Sequence, residues 1–183
     1  MEFLIISGLS GAGKSKTASF LEDIGFYVID NMPAAMMPHF AELCGEGIQN
    51  RYERIALVYD VRTTSSSVEL FEVMEKLREA GVSCRLLFLD AAPETVIKRY
   101  KETRRRHPLG EEGISLEEAV CRERETMEPL RRRADYVIDT THLSTARLRG
   151  ELLLSSSISI FFTYINTSQH RIRNKKLRKE QLF

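Results

Sequence analysis

The sequence has no tryptophan, only three cysteines, and no apolar run that approaches the ~20 residues needed to span a bilayer. Each shortage removes a class of protein. Cys44, Cys84 and Cys121 are odd in number, widely spaced, and not arranged with histidines at metal-ligand spacing. That excludes a disulfide-stapled scaffold and a zinc module, and leaves free thiols in a reducing compartment. Without a spanning segment, or a charged leader ahead of the first apolar stretch, the expectation is a cytoplasmic protein with no membrane partner. Charge of one sign is also scarce, because the net charge is +1. The last 33 residues carry six Lys/Arg against two Asp/Glu, an excess of four that leaves the first 150 residues at −3. A slightly acidic body argues against generic nucleic-acid binding, so any basic attraction belongs to the tail.

What remains is an ordinary globular composition, 43% hydrophobic and 29% charged, in 183 residues, enough for one well-filled core. Short, nearly continuous apolar runs alternate with amphipathic stretches. FLIIS (3–7), FYVID (26–30), IALVYDV (55–61), CRLLFLD (84–90) and YVID (136–139) read as strands covered on both faces. KSKTASFLEDIG, PAAMMPHFAELCGEGI, SSVELFEVMEKLREAG and PETVIKRYKETRR carry helical spacing, and two of them end on glycine. This rhythm predicts an α/β fold, a parallel sheet with helices on both faces and right-handed crossovers. After about Gly150 the rhythm stops, and the expected division is an α/β domain over 1–150 followed by a basic, partly disordered tail over 151–183.

GLSGAGKS, directly after the first strand, satisfies G-x-x-x-x-G-K-[ST] in full. Gly8, Leu9, Ser10, Gly11, Ala12, Gly13, Lys14 and Ser15 would form a phosphate loop in which main-chain N–H groups converge on phosphate oxygens with no Cβ in the way. Lys14 would supply a point charge to the outer phosphates and Ser15 a hydroxyl to Mg²⁺, with the helix behind them aiming its positive end at the anion. The bland reading is a glycine-rich turn. The strand before it and the helix after it favour a P-loop for a nucleoside triphosphate with Mg²⁺.

Other residues carry weaker signals. Asp60, closing IALVYD, would face the phosphates and hold Mg²⁺, or would simply start a turn. Arg62 either reaches a phosphate or stays solvated. Asp30, in IDNMP, stands where a small-molecule kinase orients an acceptor hydroxyl, although Asp before Asn and Pro also starts turns. KRYKETRRRHPLGEEG packs Lys98, Arg99, Lys101, Arg104, Arg105, Arg106 and His107 ahead of Pro108 and Gly110. Arg104 and Arg105 are the candidates for a lid over the triphosphate, against a plain solvated helix end. RERETMEPLRRRAD, from Arg122, reads as a salt-bridge-laced surface helix without a role in the site. Asp139 is expected to cap a helix starting near Ser144.

Taken in this order and spacing, SGLSGAGKS, IDNMP, YDVRT, LFLDA followed by RYKETRRRHPL, and ADYVIDTTHL closely resemble the RNase adapter protein family, the RapZ or YvcJ nucleotide-binding proteins, over roughly residues 1–150. The resemblance implies a kinase-like P-loop NTPase domain that binds and slowly hydrolyses ATP and GTP. By the same resemblance Gly8 to Ser15 are the ATP-binding segment, and Asp60, Val61, Arg62 and Thr63 the GTP-binding one. It also implies, as partners, a small regulatory RNA and a ribonuclease to which that RNA is presented. The family continues into a second domain carrying RNA and small-molecule binding, which the segment from Leu154 does not resemble, so a truncated or frame-shifted product is expected. Two other functions stand beside the weak ATPase/GTPase: a small-molecule kinase transferring the γ-phosphoryl group, and a nucleotide-sensing module without catalysis. The oligomeric state is not set by the letters, and a homo-oligomer is left open.

Overall fold

The computed structural model describes residues 1–46, 54–60, 67–103, 107–110 and 113–154. Its elements in chain order are β1 (Glu2–Gly8), α1 (Lys14–Asp23), β2 (Tyr27–Asp30), a 3₁₀ turn (Ala34–Met36) leading into α2 (Met37–Glu46), β3 (Arg54–Val58), α3 (Ser67–Glu79), β4 (Ser83–Asp90), α4 (Pro93–Thr103), α5 (Leu116–Arg133), β5 (Tyr136–Asp139) and α6 (Thr145–Leu154). The chain divides into two compact units, 1–144 and 145–183, and α6 is the described part of the second.

All five strands of the first unit are parallel and lie in the order β2-β3-β1-β4-β5. The three central strands are the most apolar for a physical reason: helices cover both of their faces, so only their amino-terminal ends, at Glu2, Arg54, Ser83 and Arg85, reach water. Phe3, Ile5, Ile6, Ile55, Leu57, Leu86, Leu87 and Leu89 are fully buried. Each contributes about 1.5–3 kcal/mol of hydrophobic stabilisation. The edge strands are shorter and partly exposed, with Tyr27 and Val137 open to solvent.

Handedness then places the helices. The connection from β1 to β2 runs toward one edge, whereas those from β2 to β3, β3 to β4 and β4 to β5 run toward the other. With right-handed crossovers, α1 covers one face, and α2, α3 and α5 the opposite one, where α3 touches both α2 and α5. Because the chain leaves β1 and β4 in opposite directions, the crevice beyond their carboxyl ends is the topological switch point of the sheet. Open α/β sheets bind ligands there. The loop from Gly8 to Ser15 begins at that point.

Candidate functional site

Gly8 ends β1 level with Leu89 of β4, at φ +141°, and a Cβ added to it would run into the Leu89 main chain, 2.7 Å from the nitrogen. Only glycine fits that approach. At the other end Gly13, at φ +109°, turns the chain into α1 in the left-handed conformation that glycine adopts without strain. Between them Leu9 and Ala12 are buried and anchor the loop to the core, whereas Gly11 and Ser15 face outward. Lys14 folds back so that Nζ donates to the carbonyl oxygens of Gly8 (2.6 Å) and Leu9 (3.2 Å), which holds an ammonium group against the loop.

Every residue from Leu9 to Ala12 is fastened from outside the loop or across it. The Leu9 N–H donates to Leu89 O (3.1 Å) and the Ala12 N–H to Leu9 O (3.0 Å). The Ser10 N–H donates to both carboxylate oxygens of Glu123 (3.1 and 3.0 Å). Gly11 O accepts from Arg99 Nη1 (2.9 Å), and Ala12 O accepts from the Thr140 hydroxyl (2.9 Å). Arg99 Nη2 in turn donates to Thr140 O (2.7 Å), tying α4, the loop and the end of β5 together. A cradle held this way is preorganised for an anion and needs little rearrangement when one arrives.

The segment from Arg122, expected to be a surface helix outside the site, is corrected here. It belongs to α5, which starts at Leu116 with Ser115 as N-cap, the Ser115 hydroxyl accepting from the Glu118 N–H (3.1 Å). One face buries Ala119, Val120, Glu123, Met127 and Leu130, and Glu123 reaches the phosphate loop from that face. Asp90, at the end of β4, docks the helix. Its carboxylate accepts from Arg124 (3.1 and 3.2 Å), from Arg131 Nε (2.8 Å) and from the Ala91 N–H (2.8 Å). Glu123 also pairs with His107, whose Nε2 lies 3.2 Å from Glu123 Oε2 while Nδ1 accepts from the Leu109 N–H (3.2 Å). Sequence reasoning missed Glu123, Arg124, Asp90 and Thr140, and did not separate Arg99 from its basic neighbours. A signal was present for Glu123, a carboxylate in register with the apolar positions of its helix.

The other candidates fall as follows. Asp60 is buried, two residues beyond the end of β3. The register that pairs Ile6 with Val58 continues through the Tyr59 N–H to Ile6 O bond (2.8 Å), one residue short of Asp60. Asp30 pairs with Val58 at the exposed edge, two strands or about 10 Å from β1. It is followed by Asn31 at φ +58°, whose N–H donates to Val58 O. The Asp139 carboxylate accepts from the hydroxyl and the N–H of Thr141, and those two donors hold it below the usual carboxylate range. Val61, Arg62, Thr63, Arg104 and Arg105 lie outside the described residues.

In front of the loop opens a cavity of about 390 Å³, lined by Gly13, Lys14 and Ser15 on one side and Arg99, Tyr100 and Thr103 of α4 on the other. The size is that of a small-molecule site, and its cationic and main-chain donors suit a polyphosphate. Among the described residues no cluster of three or more His, Cys, Asp or Glu is assembled that would hold a metal ion by itself. A hard divalent ion here would draw on one or two protein oxygens and on a ligand's phosphates, the usual arrangement for Mg²⁺, and of the two oxygens expected from the sequence the Ser15 hydroxyl lines the cavity. No helix among the described residues is long and apolar enough to cross a membrane.

A parallel sheet in this order, with a glycine-rich loop leading from its central strand into a helix, defines a kinase-like P-loop protein. Solved structures share the fold: a shikimate kinase from Bacteroides thetaiotaomicron (TM-score 0.53, 17% identity, 83% of this chain and 98% of that one) and a gluconokinase from Sinorhizobium meliloti (0.55, 15%, 90% and 97%). Within that class the chain belongs to the family described as the RapZ-like N-terminal domain, whose model matches residues 1–156. Proteins described as nucleotide-binding from Alkaliphilus oremlandii and Halothermothrix orenii are each 45% identical to it over 152 residues, which cover 83% of this chain and 52% of theirs. The chain thus spans about half the length of the curated relatives it matches.

Proposed function

We propose that the chain is a cytoplasmic protein that binds ATP and GTP with Mg²⁺ in the phosphate loop and hydrolyses them slowly. The observation that carries this reading is the loop itself, fastened at each residue from Leu9 to Ala12 with the Lys14 ammonium drawn against it. In this reading Lys14 contacts the outer phosphates, Ser15 and Asp60 hold Mg²⁺, and the segments containing Asp60–Thr63 and Arg104–Arg105 complete the enclosure. Mg²⁺ would neutralise charge on the phosphates. Arg99 and Thr140 keep the loop carbonyls turned away from the anion, and Lys14 stabilises charge that develops on transfer. Slow turnover follows if no second substrate completes the site. A part in presenting a small RNA to a ribonuclease is proposed for the full-length relatives by resemblance, with this chain supplying their nucleotide-responsive half.

Calorimetric titration with ATP and GTP, alone and in competition, followed by phosphate-release assays, tests the reading. Lys14→Ala is expected to weaken binding of either nucleotide by about a hundredfold or more without unfolding the chain. Unchanged affinity and turnover in that variant would refute the loop assignment. The small-molecule kinase reading draws on one observation, the exposed Asp30 carboxylate at the carboxyl end of β2, the same end of the parallel sheet as the loop. ADP formation that depends on an added metabolite, with a phosphorylated product, would favour it. Tight binding with no turnover would favour a nucleotide-sensing module.

A further inference from the structure

Against the phosphate loop, beside Tyr100 and Pro108 of the cavity wall, lies a buried pair of acid and base side chains that the proposed chemistry does not use. Glu123 and His107 are each about 5% exposed, and their side chains are 7% and 1% exposed respectively. A buried carboxylate is costly unless donors replace its lost water. Glu123 receives two such donors, the Ser10 N–H and His107 Nε2. The imidazole cannot be arbitrary in state. Nδ1 accepts from the Leu109 N–H, so the proton of a neutral ring sits on Nε2 and points at Glu123. The ring is further fixed by Tyr100, centroids 5.0 Å apart, and by the turn in which the Gly110 N–H donates to His107 O (2.9 Å).

We propose that Glu123 and His107 are positioning residues for the phosphate loop. Glu123 holds the Ser10 amide and so fixes the first turn of the loop beside the cavity, and His107 holds Glu123 in the rotamer that reaches Ser10. The link also joins two parts of the site that are far apart in sequence: the loop, and the chain immediately after Arg104–Arg106, to which His107 is peptide-bonded. This inference rests on the nucleotide reading above, but one of its readouts does not.

Two histidine variants separate a positioning role from a merely local one. His107→Gln keeps an N–H donor near the Nε2 position and loses the acceptor for Leu109. His107→Asn keeps that acceptor and loses the donor to Glu123. With the full chain, Ser10 amide exchange is read by NMR and MgATP affinity by calorimetry, and far-UV circular dichroism checks folding. Glu123→Ala and His107→Asn are each expected to accelerate Ser10 exchange and weaken MgATP by about tenfold or more. His107→Gln is expected to recover most of both. If Glu123→Ala does not fold, the histidine pair decides. Wild-type Ser10 protection and affinity in His107→Asn, or recovery by Asn rather than Gln, would overturn the proposal and leave the nucleotide reading standing. Loss of nucleotide binding in Lys14→Ala alone gives that second result its meaning. A wild-type chain that binds neither ATP nor GTP would overturn both.

Discussion

Cys84 sits in β4, and burial pushes its thiol up to about 12, whereas Cys121 is exposed on α5. The thiolate is the reactive form, so the two should differ sharply toward an alkylating reagent. Iodoacetamide at pH 8 is expected to modify Cys121 within minutes and to reach Cys84 only after denaturant is added; peptide mass spectrometry reads the order. Asp139 makes a second prediction. The Thr141 hydroxyl and N–H lower its pKa, so the stabilisation is fully present above the unfolded value near ~3.9 and is lost as pH falls through the folded value. Asp139→Asn should therefore be less stable than the parent at pH 7, and the gap in urea midpoint should close as the pH is lowered past the range in which the folded carboxylate takes up its proton. Legibility at this scale was uneven. Lys14 and Ser15 could be read from spacing because the loop is local, whereas Glu123 acts on Ser10 across more than a hundred residues and only its place among apolar helix neighbours hinted at it.

At the scale of elements, the central strands were readable because the stretches covered on both faces must be nearly continuously apolar. The end of β1 is the more sensitive feature. Gly8→Ala would force a Cβ into the Leu89 main chain and strain a positive φ, separating β1 from β4 where the loop begins. A loss of about 3 kcal/mol or more is expected in urea unfolding, with nucleotide affinity falling alongside it. Little change in either would mean that the strand pair can part there without consequence. α5 was recognised as a helix but misjudged as surface. Its charges alternate as on a solvated helix, yet Arg124 and Arg131 converge on one carboxylate at the end of β4, a meeting that depends on sheet geometry and not on helix spacing.

For the molecule as a whole, the parallel sheet followed from the alternation of runs, but the strand order did not, since no residue states which neighbour a strand will choose. That order puts the loop at the switch point and so makes ligand binding a property of the entire first unit. Binding and unfolding are therefore linked. At a hundred times the dissociation constant, MgATP should add about 2.7 kcal/mol to stability and raise the melting temperature in a concentration-dependent way. A melting temperature indifferent to nucleotide in the parent chain would contradict this, and Lys14→Ala should show that indifference.

The placing of β1 between β3 and β4 has a consequence for synthesis. FLII, in β1, finds neither flanking neighbour until β3 and then β4 have been translated. At ~5–20 residues per second that is a wait on the order of seconds. During it, this apolar segment is bare, a natural point for a chaperone to engage.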